Sequence, residues 1–301
     1  METTAILERY EKLECLGRGT SGEVHRARDR VLGRFAALKI VHLDRVPAPR
    51  RALVRSRFER EVQSLIKLKH DGIPTVYDAA VGNDVLVVAM EYVQGRSLET
   101  LLRREKISSA AGAALVAAVA RILHFVHQHG LVHRDVKPAN IVVGRDGRPR
   151  LVDFGLAKGQ DDPGTGVTVA GALVGTPLYM SPEQVEGMGK EADARSDVFA
   201  LGAVLHHVLA GRPPFEGESF LSLAAAILSQ PPVPLRAIDS TLPAELEAIV
   251  LRALEKDPSA RFPTAEAFAQ ALESVSRPAP RAVPWAAAFG LALVALVGGG
   301  A

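Results

Sequence analysis

Apolar and polar positions divide the chain into two unlike parts. Over the first ninety or so residues the apolar positions fall in short β-type runs, LECLGRG, GEVHRARD, RFAALKIVHL and DVLVVAMEYV, punctuated by glycine and charge. Among them Val54, Phe58, Val62, Leu65 and Ile66 recur at helical spacing and predict one apolar face of a single helix. From about Ser97 the period lengthens. SSAAGAALVAAVARILHFVHQHG predicts a long helix stopping at Gly130 in a left-handed cap, and VFALGAVLHHVLAG, ELEAIVLRALEKD and AEAFAQALESV predict three more. NIVVGRDG and PRLVDFG are β-type, with a turn at Asp146 and Gly147. The expected fold class is α+β: a small β-rich part carrying one helix, then a larger, mainly α part, with no internal repeat.

Composition narrows the function classes. The 36 basic and 34 acidic side chains of the 301 residues nearly cancel, so no long-range field points to nucleic acid as a partner. Cys15 is the only cysteine, which excludes an intramolecular disulfide and a thiolate metal cluster; on the first strand it is expected to be a small core residue. METTAILERYEKLE mixes acids and bases and lacks the order of a signal peptide. WAAAFGLALVALVGGGA, residues 285–301, carries no charge over 17 positions, close to the roughly 20 that cross a bilayer as a helix. The segment before it, RPAPRAVP (277–284), reads as a linker, and its Arg277 and Arg281 mark the side that stays in the cytoplasm. A buried terminal helix would have the same composition.

Three constellations carry chemistry. LGRGTSGEV places Gly17, Gly19 and Gly22 in a G-x-G-x-x-G pattern, where backbone N–H groups can approach a phosphate. Alone this is weak, since about 0.2 such matches per chain arise by chance at this glycine content. The glycines lead into GEVHRARD, a β-type run, so a hairpin loop over phosphates fits and a dinucleotide fingerprint opening a helix does not. Next, Lys39 ends AALK on a strand, and alternation turns it away from Leu38 and Ile40; an inward lysine needs an anion, and Glu61, on or beside the packed helix face, could orient it. Last, HRDVKPAN followed by LVDFG brings Asp135, Asn140 and Asp153 into one neighbourhood. Two carboxylates and an amide oxygen are hard ligands suited to Mg²⁺, or one carboxylate serves as a base.

LGRGTSGEV, AALK, the helix bearing Glu61, HRDVKPAN, DFG and the SPE of YMSPEQ are similar, in order and spacing, to the signature set of the eukaryotic-type serine/threonine protein kinases, in their bacterial, membrane-anchored form. The resemblance covers roughly Tyr10 to Val275. It implies a two-lobed protein-kinase fold over 10–276, with a small lobe of about 10–92 and a large lobe of about 95–276, then the 277–284 linker and a 285–301 transmembrane segment.

Residue by residue, the resemblance puts Gly17, Gly19 and Gly22 over the ATP phosphates, Lys39 on the α and β phosphates, and Glu61 in an ion pair with Lys39. Asn140 and Asp153 would hold Mg²⁺, Asp135 would take the hydroxyl proton of the protein substrate, and Lys137 would sit near the γ phosphate. Leu16, Val24 and Ala37 above and Val142 below would sandwich adenine, its edge bonding the backbone at Glu91 and Val93, with Met90 at the back. Lys137 and Thr176 match the serine/threonine form. Arg134 is expected to be a buried guanidinium in want of an anion, which marks a loop controlled by phosphorylation, at Thr168 first and Thr165 second. Asp197 would brace the catalytic loop and Glu183 would pair with Arg261. SPE in place of APE, and Phe199 where many relatives carry tryptophan, are departures that touch no chemistry.

The resemblance further implies serine and threonine hydroxyls of proteins as acceptors, a cytoplasmic catalytic domain tethered to the cell membrane, and a homodimer through the back of the small lobe. Two other readings share parts of the pattern: a nucleotide-binding scaffold without catalysis and a small-molecule kinase. SPE and the helices after it, which shape a peptide platform, argue against the second. His124, His127 and His129 lack a carboxylate at metal-site spacing, and His206 and His207 read as packing residues.

Overall fold

The computed structural model describes residues 3–18, 22–154, 177–187 and 192–275. Gly19, Thr165, Thr168, Thr176, the linker and the 285–301 segment lie outside the described residues.

A short helix α1 (Thr3–Arg9) precedes the strands β1 (Tyr10–Arg18), β2 (Gly22–Asp29) and β3 (Phe35–His42). Helix α2 (Ala48–Lys67) follows, then β4 (Val76–Val81) and β5 (Val85–Glu91). The five strands form one antiparallel sheet in the order β1-β2-β3-β5-β4. Its two faces bury different things. Alternation along β3 turns Ala36, Leu38 and Ile40 into a cluster with Ile6 and Tyr10, so α1 covers that face. On the α2 side, Phe58, Val62 and Leu65 join Val41, Leu86 and Val88 in the main core.

Two expectations change here. Ile66 is 53% exposed, because α2 packs along one side only and the narrow stripe Phe58–Val62–Leu65 exhausts it before the helix ends. Cys15 is exposed rather than in the core: β1 is an edge strand, covered only at Tyr10.

The large lobe starts with β6 (Gly95–Ser97) and α3 (Leu98–Leu102). Helix α4 (Ser109–Gln128) follows, its first turn capped by the Ser108 hydroxyl, and Gly130, with φ +74°, lets the chain turn out of it. α4 is long and apolar enough to cross a membrane, and it is a core helix here, with Val116, Val119, Leu123 and Val126 fully buried. β7 (Ile141–Gly144) and β8 (Pro149–Leu151) complete a three-stranded sheet in the order β6-β7-β8. Helices α5 (Pro182–Glu186), α6 (Ala194–Ala210), α7 (Phe220–Ser229), α8 (Leu235–Ile238), α9 (Ala244–Ala253) and α10 (Ala265–Val275) pack behind it. His206 is fully buried in α6, bonded to the carbonyls of Arg212 and Val233, a packing residue as expected.

Candidate active site

The half of the site on the small lobe is one face of the sheet. Register places Val24 opposite Lys39, Ala37 opposite Met90 and Lys39 opposite Val88, so these side chains share the face away from the α1 cluster. All but Val88 are half-buried, an apolar wall with a lysine set into it. Leu16 sits at a register shift in β1 and is exposed. Glu91 ends β5 and Val93 follows it into the connection between lobes, while Val142, on β7, lies in the large lobe.

The two described glycines of the loop differ in kind. A Cβ at Gly22 would lie 2.3 Å from the Ile40 carbonyl oxygen, so strand packing alone demands glycine there. A Cβ at Gly17 would meet nothing within 4 Å. Its smallness answers to no neighbour among the described residues, which fits a backbone left open for a phosphate.

The half on the large lobe is a bonded network around the catalytic loop. Asp197, buried near the start of α6, accepts the backbone N–H groups of His133 and Arg134, each at 2.8 Å, and bonds His127 Nε2 at 2.7 Å. Arg134 has φ +63°, a left-handed backbone rare for a residue with a side chain, and the Asp197 bonds hold it there. Asn140 Nδ2 donates to the Asp135 carbonyl at 2.8 Å and to its carboxylate at 3.0 Å, and Lys137 Nζ lies 2.9 Å from the same carboxylate. The Val152 N–H donates to the Asn140 carbonyl at 2.9 Å, which ties the loop to the segment carrying Asp153. The Val152 carbonyl accepts from His133 Nε2 at 3.2 Å, and the His133 ring packs on Phe154 with centroids 4.6 Å apart, so the two segments are joined by several contacts. Burial holds His133 neutral by pushing its pKa down.

A second buried network supports the first. Arg261, 2% exposed, makes a two-pronged pair with Glu183 at 2.8 and 2.9 Å, and the Ser196 hydroxyl donates to the same carboxylate at 2.6 Å. Burial pushes the Glu183 carboxyl up, but the bonds from Arg261 and Ser196 outweigh it and hold the pKa at about 2. Gln184, next in α5, donates to the Arg134 carbonyl at 2.9 Å and so links this network to the catalytic loop. The Asp197 brace and the Glu183–Arg261 pair are where the sequence places them. His127, Ser196 and Gln184 escape sequence reasoning as members of these networks: each is a common polar residue in or beside a helix, and nothing in a single sequence singles them out.

The lobes meet at Lys39, in an arrangement that departs from expectation. Lys39 Nζ pairs with Asp153, not with Glu61. Glu61 Oε2 is buried with no hydrogen-bond partner. Burial pushes the Glu61 pKa up to about 7, against the opposing pull of Arg134 and Lys39. Arg134 is also not the buried cation expected, since its side chain is exposed. The physical reason is local: Asp197 fixes the backbone of Arg134 and leaves its side chain to point outward. Asp153 has φ +59°; it and Arg134 are the non-glycine residues with left-handed backbone among the described residues.

The donor set fits a hard cation. Asn140 Nδ2 is engaged by Asp135, which leaves the amide oxygen as the group to offer a metal, and Asp153 supplies a carboxylate. Among the described residues no group of three His, Cys, Asp or Glu side chains forms a metal cage. Few protein ligands, with the rest from phosphate and water, is the habit of Mg²⁺.

The protein kinase domain family model matches residues 10–272. Serine/threonine-protein kinase PknB of Mycolicibacterium smegmatis is 41% identical over 265 residues, covering 86% of this chain and 42% of that protein. PknB of Mycobacterium tuberculosis is 39% identical over 284 residues, covering 93% of this chain and 45% of that protein. The chain thus spans less than half the length of these curated relatives. The crystal structure of the Mycobacterium tuberculosis PknI kinase domain superposes with a TM-score of 0.69 at 30% identity, over 88% of this chain and 96% of that one. Fold, motif order and relatives agree, and the chain belongs to the protein kinase family, among the bacterial eukaryotic-type serine/threonine kinases.

Proposed function

We propose that the chain transfers the γ phosphate of ATP to serine and threonine hydroxyls of proteins. The observation that carries this is the single bonded piece holding Asp135, Asn140 and Asp153 opposite Lys39. Phosphoryl transfer asks mostly for positioning and charge neutralisation, and these residues supply both. Val24, Ala37 and Met90 with Val142 and Leu16 enclose adenine, and the backbone of Glu91 and Val93 reads its edge. Gly17, Gly19 and Gly22 lie over the phosphates and Lys39 binds them. Asn140 and Asp153 hold Mg²⁺, which neutralises phosphate charge when bound. Asp135 accepts the proton of the attacking hydroxyl, and Lys137, whose Nζ lies beside the Asp135 carboxylate, meets the transferred phosphate.

In the same reading Glu61 pairs with Lys39 in the assembled site, Thr168 and Thr165 are phosphorylated to control the loop, and residues 285–301 anchor the kinase domain on the cytoplasmic side of the cell membrane. Self-association through the back of the small lobe would show in sedimentation. Carbonate extraction tests the anchor, and complete release into the soluble fraction removes it. The test of the activity is phosphoamino-acid analysis after incubation with γ-labelled ATP and Mg²⁺. Labelled phosphoserine or phosphothreonine is expected; nucleotide binding without any labelled amino acid would instead describe a scaffold.

A further inference from the structure

Away from the cleft, the densest run of one charge lies at the start of α2 and just before it. Arg45, Arg50, Arg51, Arg55, Arg57 and Arg60 fall within residues 45–60, against one acid, Glu59, in a chain whose total charge is only +2. Two of the six are held rigidly. Arg51 donates from Nε to the Val46 carbonyl at 2.9 Å and from Nη2 to the Asp44 carbonyl at 3.1 Å. Arg55 donates from Nη2 to the carbonyls of Gly82 and Asn83, at 2.7 and 3.0 Å. These partners are neutral, so the bonds fix each guanidinium in place without cancelling its charge.

Between them lies a surface cavity of about 420 Å³, lined by Leu43, Ala52, Ser56, Glu59 and Asn83 together with the two arginines. Leu43 is buried beneath it and Ala52 is exposed on its wall. The combination is specific: an apolar floor the size of a side chain or two, between two prepositioned guanidiniums whose N–H groups not spent on those carbonyls can meet carboxylate oxygens. A flat lipid headgroup layer would meet the arginines but leave the cavity unfilled. We infer that this face of α2 is a docking site for an acidic peptide segment of a partner protein, which seats an aliphatic side chain on Leu43 and Ala52 and its carboxylates on Arg51 and Arg55.

The site lies outside the nucleotide cleft, and its test reads binding rather than turnover, so the outcome is independent of whether the chain transfers phosphate. The probe is a fluorescein-labelled hexapeptide of four glutamates flanking two leucines, with a lysine counterpart, titrated by anisotropy against the full 301-residue chain. The glutamate peptide binds, the lysine peptide does not, and A52E, which sets a carboxylate on the cavity wall without removing any bond, weakens binding by about tenfold or more. R51Q/R55Q does the same, and unchanged nucleotide binding and thermal midpoint in A52E show that the fold is intact. Equal binding of both peptides, or equal affinity of A52E and the parent, overturns the inference. Loss of binding to phosphatidylglycerol vesicles in A52E, with no binding of the glutamate peptide to the parent, overturns it in favour of a lipid surface.

Discussion

The two halves of the site are built on opposite plans. On the large lobe, Asp197, His133, Asn140 and Asp135 bond one another, and Glu183 and Arg261 lock the support behind them. On the small lobe, Lys39 reaches across to Asp153 while the Oε2 of half-buried Glu61 stays buried without a hydrogen-bond partner. The difference teaches that the large lobe carries a fixed, bonded geometry, whereas the small lobe holds a lysine with two candidate carboxylates. A satisfied buried network resists change, and an unsatisfied one costs free energy until its partner arrives.

Breaking the fixed half has the largest effects. Asp135→Asn removes the proposed proton acceptor while Asn140 and Lys137 stay in place, and is expected to lower the rate of transfer by about 10²- to 10⁴-fold, or roughly 3 to 5.5 kcal/mol of barrier. ATP affinity, measured by titration calorimetry, stays within about threefold of the parent. Glu183→Gln leaves the Arg261 guanidinium buried without its counter-charge and destabilises the fold by about 3 to 5 kcal/mol, read from urea unfolding at neutral pH.

Changes in the small-lobe half are subtler and depend on pH. The Glu61 pKa is raised in the folded chain from 4.5 to about 7, so the folded state binds this proton more tightly than the unfolded state does. Its contribution to stability is therefore fully present below about pH 4.5 and is lost as pH rises through about 7. Glu61→Gln flattens that limb of the stability profile in unfolding experiments across this range, and a limb that persists in the variant contradicts the assignment. The smallest effect is expected at Ile66, where the exposed side chain touches little: Ile66→Lys changes stability by no more than about 0.5 kcal/mol in the same urea assay.

Legibility in the sequence follows the same division. The positions of Asp135, Asn140, Asp153, Asp197, Glu183 and Arg261 are legible because the order of motifs fixes where each stands in the chain. The lobes, α4 and the alternation that turns Lys39 toward the cleft are legible from period alone. The partner of Lys39 is not, since a choice between two carboxylates depends on distances that no spacing encodes. Nor is the coverage of single positions: Cys15 and Ile66 are apolar enough for a core, and only the edge position of β1 and the one-sided packing of α2 expose them. Strand β4 and helix α7 leave no clear pattern, the first because Asp78 interrupts its apolar run, the second because FLSLAAAILS has too short a polar face to show a period.

The contrast between a fixed half and a switchable half turns on Lys39, and its most direct test is the titration of the Glu61 carboxyl by carbon NMR in the parent and in Asp153→Asn. Without the Asp153 charge, Lys39 is free to pair with Glu61, and the Glu61 midpoint drops from about 7 toward the ordinary carboxylate range. A midpoint that stays at about 7 in Asp153→Asn would show that Lys39 does not exchange partners and would contradict the account.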